Sequence, residues 1–210
     1  MPSRDRRPYD VVKRGLDIVL SAAGLVVTAP VQAVVAAAVL VSDGRPVLFR
    51  QPRPGRDGVV FELVKFRSMS HPTATRQTDA ERLTKLGRFL RSTSLDELPT
   101  LWNVLKGEMS LVGPRPLLVE YLERYTPDQA RRHEVRPGVT GLAQISGRNA
   151  IGWDAKLALD VEYVERYRLR LDAAILFRTV VSVLRRHGIS TDGHATASVF
   201  MGSEGRVEHG

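Results

Sequence analysis

A chain of 210 residues is long enough for one domain of ordinary size with some length left for appendages, and it requires no second core. It has no cysteine, which excludes disulfides, thiolate metal sites and a cysteine nucleophile; none of its five histidines pair at zinc-ligand spacing, so a metal site would have to be built from carboxylates, as magnesium or manganese prefer. The excess of 31 Lys and Arg over 23 Asp and Glu, a net charge of +8, points to an anionic partner, whether nucleic acid, anionic lipid or a phosphorylated substrate.

Residues 1–14 are polar and basic and end in Lys13 and Arg14. Ile18 to Val41 then runs for 24 residues without a charge, long enough to cross a bilayer and too apolar all round for a surface helix. Its length and its central proline argue against a signal peptide. Both flanks are basic, with Lys13 and Arg14 before it and Arg45, Arg50, Arg53 and Arg56 after it, and positive flanks favour the cytoplasmic side. A helix bent at Ala29-Pro30, re-entering the leaflet it came from, satisfies both constraints and is preferred to a plain span, with Ser21 and Thr28 near the carbonyl that Pro30 frees. Asp17, at the entry, is expected to pair with Lys13 or Arg14.

Two short β-rich runs follow, Pro46 to Arg50 and Val59 to Phe66, joined by a Gly- and Pro-rich turn, so a β-hairpin is expected. Lys65 and Arg67 end it, either as a solvated strand end or as phosphate contacts. After a polar linker, Asp79 to Ser92 carries Leu83, Leu86 and Leu90 at helical spacing.

That helix leads into two adjacent carboxylates, Asp96 and Glu97, between Arg91 and Arg115. Ser94 to Glu97 has the form of a capping box. Pro99 weakens that reading, since as the fifth helical residue it would lack a donor and clash with the preceding turn. Proline at the first helical position starts the helix near Leu98 and leaves both carboxylates just outside its positive end. There an aspartate stays ionised, phosphate is attracted, and the aspartate is a candidate nucleophile for phosphoryl transfer. Leu98, Leu101, Trp102 and Leu105 form one apolar face, in which Trp102 reads as core, and Gly107 is the stop.

Leu117 to Tyr125 reads as helical, and Asp128 to Glu134 as a solvated helical face. Arg136 to Gly141 and Ser146 to Asn149 are glycine-bearing loops around a short strand, Leu142 to Ile145. Such loops bring backbone N–H groups to phosphates, and Arg136 and Arg148 within them are candidate substrate contacts. A long helix, Trp153 to Arg170, precedes another, Ala173 to His187, for which Asp172 reads as N-cap. The tail from Ile189 is small and polar and reads as mobile.

These segments resemble one family: the small bacterial polyprenyl-phosphate glycosyl-1-phosphate transferases, or initiating sugar transferases. The likeness is carried in order by Lys13-Arg14 before the proline-broken apolar run, Lys65-Phe-Arg-Ser-Met69, Ser94-Leu-Asp-Glu-Leu-Pro99, Asn103-Val-Leu-Lys-Gly107, Leu111-Val-Gly-Pro-Arg-Pro116, Arg136-Pro-Gly-Val-Thr-Gly-Leu-Ala-Gln144, Gly147-Arg-Asn149 and Leu171-Asp172. It runs from about Asp10 to Gly188, without the extra N-terminal membrane helices of larger members.

The resemblance implies transfer of sugar-1-phosphate from a UDP-sugar to undecaprenyl phosphate, with release of UMP. Asp96 matches the family's nucleophile, which forms a phosphosugar-aspartyl intermediate, and Glu97 matches a magnesium-binding position, with Asp172 orienting metal or cation. Lys65, Arg91 and Arg115 match positions facing the phosphates and nucleotide. The expected fold is α+β: residues 1–43 as a basic N-terminus and re-entrant membrane helix, 44–188 as a mainly helical catalytic domain with interfacial amphipathic helices, and 189–210 as a tail. Lys13, Arg14 and Pro30 would anchor it on the cytoplasmic face of the inner membrane, with the apolar faces of Leu98–Leu105 and Ala173–Leu184 near the headgroup plane. Homo-oligomerisation stays open and no nucleic-acid partner is expected. The rival reading is a membrane-tethered basic module that binds nucleic acid or anionic lipid; it leaves Asp96 and Glu97 unexplained, because carboxylates repel such ligands.

Overall fold

The computed structural model describes residues 8–72, 77–147, 151–184 and 199–202. It is a mixed helix and strand protein built on one long N-terminal helix, α1 (Pro8–Asp43). The helix runs continuously through Pro30, so the expected re-entrant hairpin does not appear as two separate arms. The hydroxyls expected to serve the carbonyl that Pro30 frees go elsewhere: Thr28 Oγ1 donates to Gly24 O at 2.6 Å and accepts from Gln32 Nε2 at 2.9 Å, and Ser21 Oγ donates to Ile18 O at 3.2 Å. Only Asp17, Ser21, Val35 and Val39 of α1 are buried, so most of its apolar surface has no protein cover.

Both ends of α1 are fastened to the same globular body. Near the start, Arg14 donates to Val104 O and Leu105 O at 2.7 and 2.8 Å, on the C-terminal turn of α4 (Thr100–Lys106). Asp17 does not pair with Lys13 or Arg14 as expected; its Oδ1 accepts from Ser110 Oγ at 3.1 Å and Leu111 N at 2.9 Å. Near the end, Val35 and Val39 pack with Phe66 and Leu90, and Arg67 Nη2 donates to Asp43 O and Gly44 O.

The hairpin is present. Strands β1 (Leu48–Pro54) and β2 (Val60–Phe66) pair antiparallel, with Phe49 opposite Lys65, around a tight turn in which Asp57 and Gly58 have positive φ. The amphipathic segment after the linker divides into α2 (Asp79–Arg82) and α3 (Lys85–Thr93), because Thr84 N-caps α3 through Gly87 N. A second small sheet pairs β3 (Ser110–Val112) in parallel with β4 (Gly138–Thr140). A Cβ on Gly138 would stand 2.1 Å from Gly113 N, so only glycine allows the backbones to meet there.

Several expectations are corrected. Leu142 to Ile145 is not a strand; the strand is β4, and α6 (Leu142–Ser146) follows it, since a short apolar run does not by itself separate the two. Leu117 to Tyr125 forms a 3-10 segment, Val119–Arg124. The expected solvated face becomes α5 (Pro127–Ala130), capped by Thr126, and a 3-10 turn, Arg131–Glu134, in which Arg132 and His133 are buried. The last long helices are α7 (Trp153–Arg166) and α8 (Leu169–Leu184); Asp172 lies in the first turn of α8, not at its N-cap. The end of the helix expected over Ala173 to His187 lies outside the described residues. Phe200 in the tail is buried among Tyr121, Tyr125 and Trp153.

Candidate active site

The carboxylate pair sits on a single 3-10 turn, Leu95–Glu97, between α3 and α4. Ser94 ends α3 with φ of 57°, in the left-handed region, and makes no side-chain cap, so the capping-box reading fails and Pro99 stands at the N-cap of α4. Both carboxylates therefore lie just ahead of α4, as the proline argument requires.

Two elements converge on Glu97. Lys65, near the end of β2, donates through Nζ to Glu97 Oε1 at 2.5 Å, and Arg115, in the loop after β3, donates through Nη2 to the same oxygen at 2.7 Å. Both hydrogen bonds fall on Oε1, so Oε2 accepts none among the described residues. The strand is lashed to the helix by two buried polar side chains, Thr100, which the sequence reading passed over, and Asn103, which it named within a motif without a role. Thr100 Oγ1 donates to Val64 O at 3.0 Å; Asn103 Oδ1 accepts from Val64 N at 3.1 Å, and its Nδ2 donates to Glu62 O at 2.7 Å. Thr100 and Asn103 are three residues apart on one face of α4, a spacing that was readable within Thr100-Leu-Trp-Asn103.

The two carboxylates occupy opposite environments. For Glu97, burial pushes the pKa up, but Arg115 and Lys65 together outweigh it and hold the carboxyl well below its ordinary range. Asp96 is 8 % exposed and accepts no hydrogen bond among the described residues. Burial first, then the neighbouring Glu97 charge, raise its pKa, against the pull of Lys65, Arg115 and Arg91. The expectation that the helix end alone keeps Asp96 acidic is thus outweighed by desolvation. Burial lowers the pKa of Lys65, with Glu97 opposing; the Glu97 charge raises that of Arg115.

Arg91 stands on the Asp96 side, its Nε donating to Ser68 Oγ at 3.0 Å. Arg53, another residue the sequence reading passed over as a flank, lies close enough to Arg115 that burial and the Arg115 charge lower its pKa to about 10. The Arg115 loop is held by Arg53 Nη1 on Pro116 O at 3.3 Å and by Arg132 Nη2 on Arg115 O at 2.7 Å.

Other candidates lie elsewhere. Asp172 is buried and its carboxylate is occupied: Oδ2 accepts from Tyr9 OH at 2.8 Å and Lys13 Nζ at 2.5 Å, and Oδ1 accepts from Tyr163 OH at 2.8 Å. It therefore pins α8 to α1. Arg136 Nε donates to Gly107 O at 2.8 Å, and with Lys13, Arg14, Asp17 and Arg56 it lines a small cavity of about 30 Å³ that Asp96 and Glu97 do not reach. Arg148 lies outside the described residues.

No cluster of three or more His, Asp or Glu able to hold a metal occurs among the described residues. Magnesium, however, binds through one or two carboxylates and completes its shell with water and substrate phosphate. The free Oε2 of Glu97 and the unbonded carboxylate of Asp96 fit that mode.

Trp102 is 51 % exposed, not core, because α4 buries Thr100, Asn103 and Val104 instead. Phe89, Phe177 and Val180 are exposed as well.

A family model described as bacterial sugar transferase matches residues 8–186. An uncharacterized sugar transferase, EpsL, of Bacillus subtilis is 49 % identical over 92 % of this chain and 97 % of its own length. The undecaprenyl-phosphate galactose phosphotransferase of Salmonella typhimurium is 41 % identical over 87 % of this chain, which spans 42 % of that protein. A UDP-glucose:undecaprenyl-phosphate glucose-1-phosphate transferase of Caulobacter vibrioides is 39 % identical over 85 % of this chain and 72 % of its own length.

Proposed function

The chain belongs to the bacterial sugar transferase family, and we propose that it moves sugar-1-phosphate from a UDP-sugar to undecaprenyl phosphate with release of UMP. The observation that carries this reading is the division of labour between adjacent carboxylates: Glu97 is tied to two cations while Asp96 is left without a hydrogen bond.

Asp96 is the nucleophile. One of its carboxylate oxygens attacks the β-phosphorus, the bond from that phosphorus to the bridging oxygen breaks, and UMP leaves with the electron pair. The phosphosugar-aspartyl ester is resolved when a phosphate oxygen of undecaprenyl phosphate attacks the same phosphorus and expels the aspartate. Two anions repel, so Lys65, Arg91 and Arg115 must offset the donor's charge for a carboxylate to approach it. Arg115, set between Pro114 and Pro116, presents a fork suited to phosphate. Magnesium, held by Glu97, would add positive charge at the donor's phosphates.

The acceptor keeps its tail in lipid, so the site belongs at the headgroup plane on the cytoplasmic face of the inner membrane. Support comes from α1: both of its ends are fastened to one globular body, which a helix crossing the bilayer could not manage. On this reading the protein is monotopic, with both ends of α1 on one face and Trp102, Phe89 and Phe177 in the interface.

The test uses purified protein with magnesium and undecaprenyl phosphate, screened against UDP-sugars for UMP. UMP release that depends on the acceptor, with a phosphosugar adduct mapped to Asp96 by mass spectrometry, is the expected result. Acceptor-independent release would make the protein a hydrolase, and an adduct elsewhere would remove Asp96 from its role.

A further inference from the structure

Arg132 is a charged side chain that the proposed chemistry does not use, and it is 2 % exposed. Four of its five N–H donors are engaged: Nε and Nη2 to Asp160 Oδ2 at 3.1 and 2.7 Å, Nη1 to Tyr125 OH at 3.1 Å, and Nη2 also to Arg115 O at 2.7 Å. Asp160, on α7, is 4 % exposed. A buried ion pair is often no more stabilising than well-packed apolar side chains of similar volume, so stability is a weak reason for this one to be here.

What it touches supplies a better reason. The peptide between Arg115 and Pro116 has no N–H, so its carbonyl is the only group by which that plane can be fixed. Arg132 holds that carbonyl. The Arg115 side chain itself is 45 % exposed and reaches Glu97 across the surface, so the direction of its guanidinium depends on the backbone beneath it.

We propose that Arg132, fixed by Asp160, is a positioning residue for Arg115: it sets the peptide plane from which the phosphate-facing guanidinium projects. The inference rests on the role given to Arg115 above.

The test is a double-mutant cycle read as kcat and KM for UMP release. Arg132→Met alone strands the Asp160 charge, so it is made together with Asp160→Leu, an apolar replacement of the pair that restores folding. The pair variant should melt near wild type yet lose about 10²-fold in kcat/KM, the scale of a misplaced catalytic group. Placed in an Arg115→Ala background, it should cost nothing further, because its effect passes through Arg115. Wild-type turnover of the pair variant, or an undiminished loss in the Arg115→Ala background, overturns the inference while leaving the transferase reading intact. Wild-type turnover of Arg115→Ala itself overturns the role of Arg115 and this inference with it.

Discussion

Replacing Asp172 by Asn separates two roles that its sequence position allows, metal ligand and structural pin. The change keeps the shape and two acceptor positions reduced to one, and it leaves the Lys13 ammonium, 14 % exposed, facing a neutral amide. Removing one partner of a buried ion pair costs about 3–5 kcal/mol, and the isosteric amide sets the lower end, roughly 3 kcal/mol. For a chain of this size about 1 kcal/mol moves the melting temperature by roughly 2–4 °C, so the expected fall is about 6–12 °C. The assay is a thermal scan of tryptophan fluorescence with and without magnesium, beside magnesium titrations of UMP release. The compensating pair Lys13→Met with Asp172→Leu should recover most of the lost stability. An Asp172→Asn protein that melts as wild type but needs far more magnesium would refute the pin and restore the ligand reading.

The remaining predictions concern the site and its surroundings. Asp96→Asn should abolish UMP release while raising the melting temperature. Because the folded-state pKa of Asp96 is raised, the folded protein binds the extra proton, and wild-type stability declines as pH climbs from the unfolded aspartate value of about 3.9 through the folded one. The melting difference between variant and wild type should therefore vanish in acid and grow with pH. Glu97 behaves oppositely: its lowered pKa contributes stability above about pH 4.3 that is lost as pH falls through the folded value, so Glu97→Gln should be most destabilising at neutral pH. Phe200→Ala, which removes the ring at the centre of a four-aromatic cluster, should cost on the order of 3 kcal/mol at the attachment of the tail, read as faster proteolysis of the C-terminal residues. In vesicles containing brominated lipid, the fluorescence of Trp102 should be quenched and that of Trp153 spared, with Trp102→Phe removing the quenching.

The sequence carried the elements whose signals are local. The hairpin came from its Gly and Pro turn, the helix stop from Gly107, and the place of Asp96 and Glu97 ahead of α4 from the intolerance of helix interiors for Pro99. It misled where partners are distant in the chain. Lys13 and Asp172 are 159 residues apart, and Arg132 and Asp160 are 28, so periodicity read Asp172 as a cap and Arg132 as part of a solvated face. Trp102 was misread for a different reason: Leu98, Leu101 and Leu105 of its stripe are half-buried while Trp102 itself is exposed, and periodicity does not show which member of a stripe is left uncovered. Phe200 gave no signal at all, since a lone aromatic in a polar tail has no period.

Why the two carboxylates are neighbours in sequence follows from the turn they share. Consecutive side chains on a 3-10 turn point about 120° apart, so one cannot enter the surroundings of the other. That angle lets Glu97 take Lys65 and Arg115 while Asp96, one residue earlier, is desolvated beside a charge it cannot escape. Environments that drive adjacent acids apart are how one site assigns different work to identical groups. Had the segment continued as the capping box its pattern suggested, Glu97 would have folded back onto the Ser94 backbone, and neither cation would have found it. Pro99 prevents that, and the left-handed Ser94 completes the turn. The environment of Asp96 thus depends on a proline three positions away.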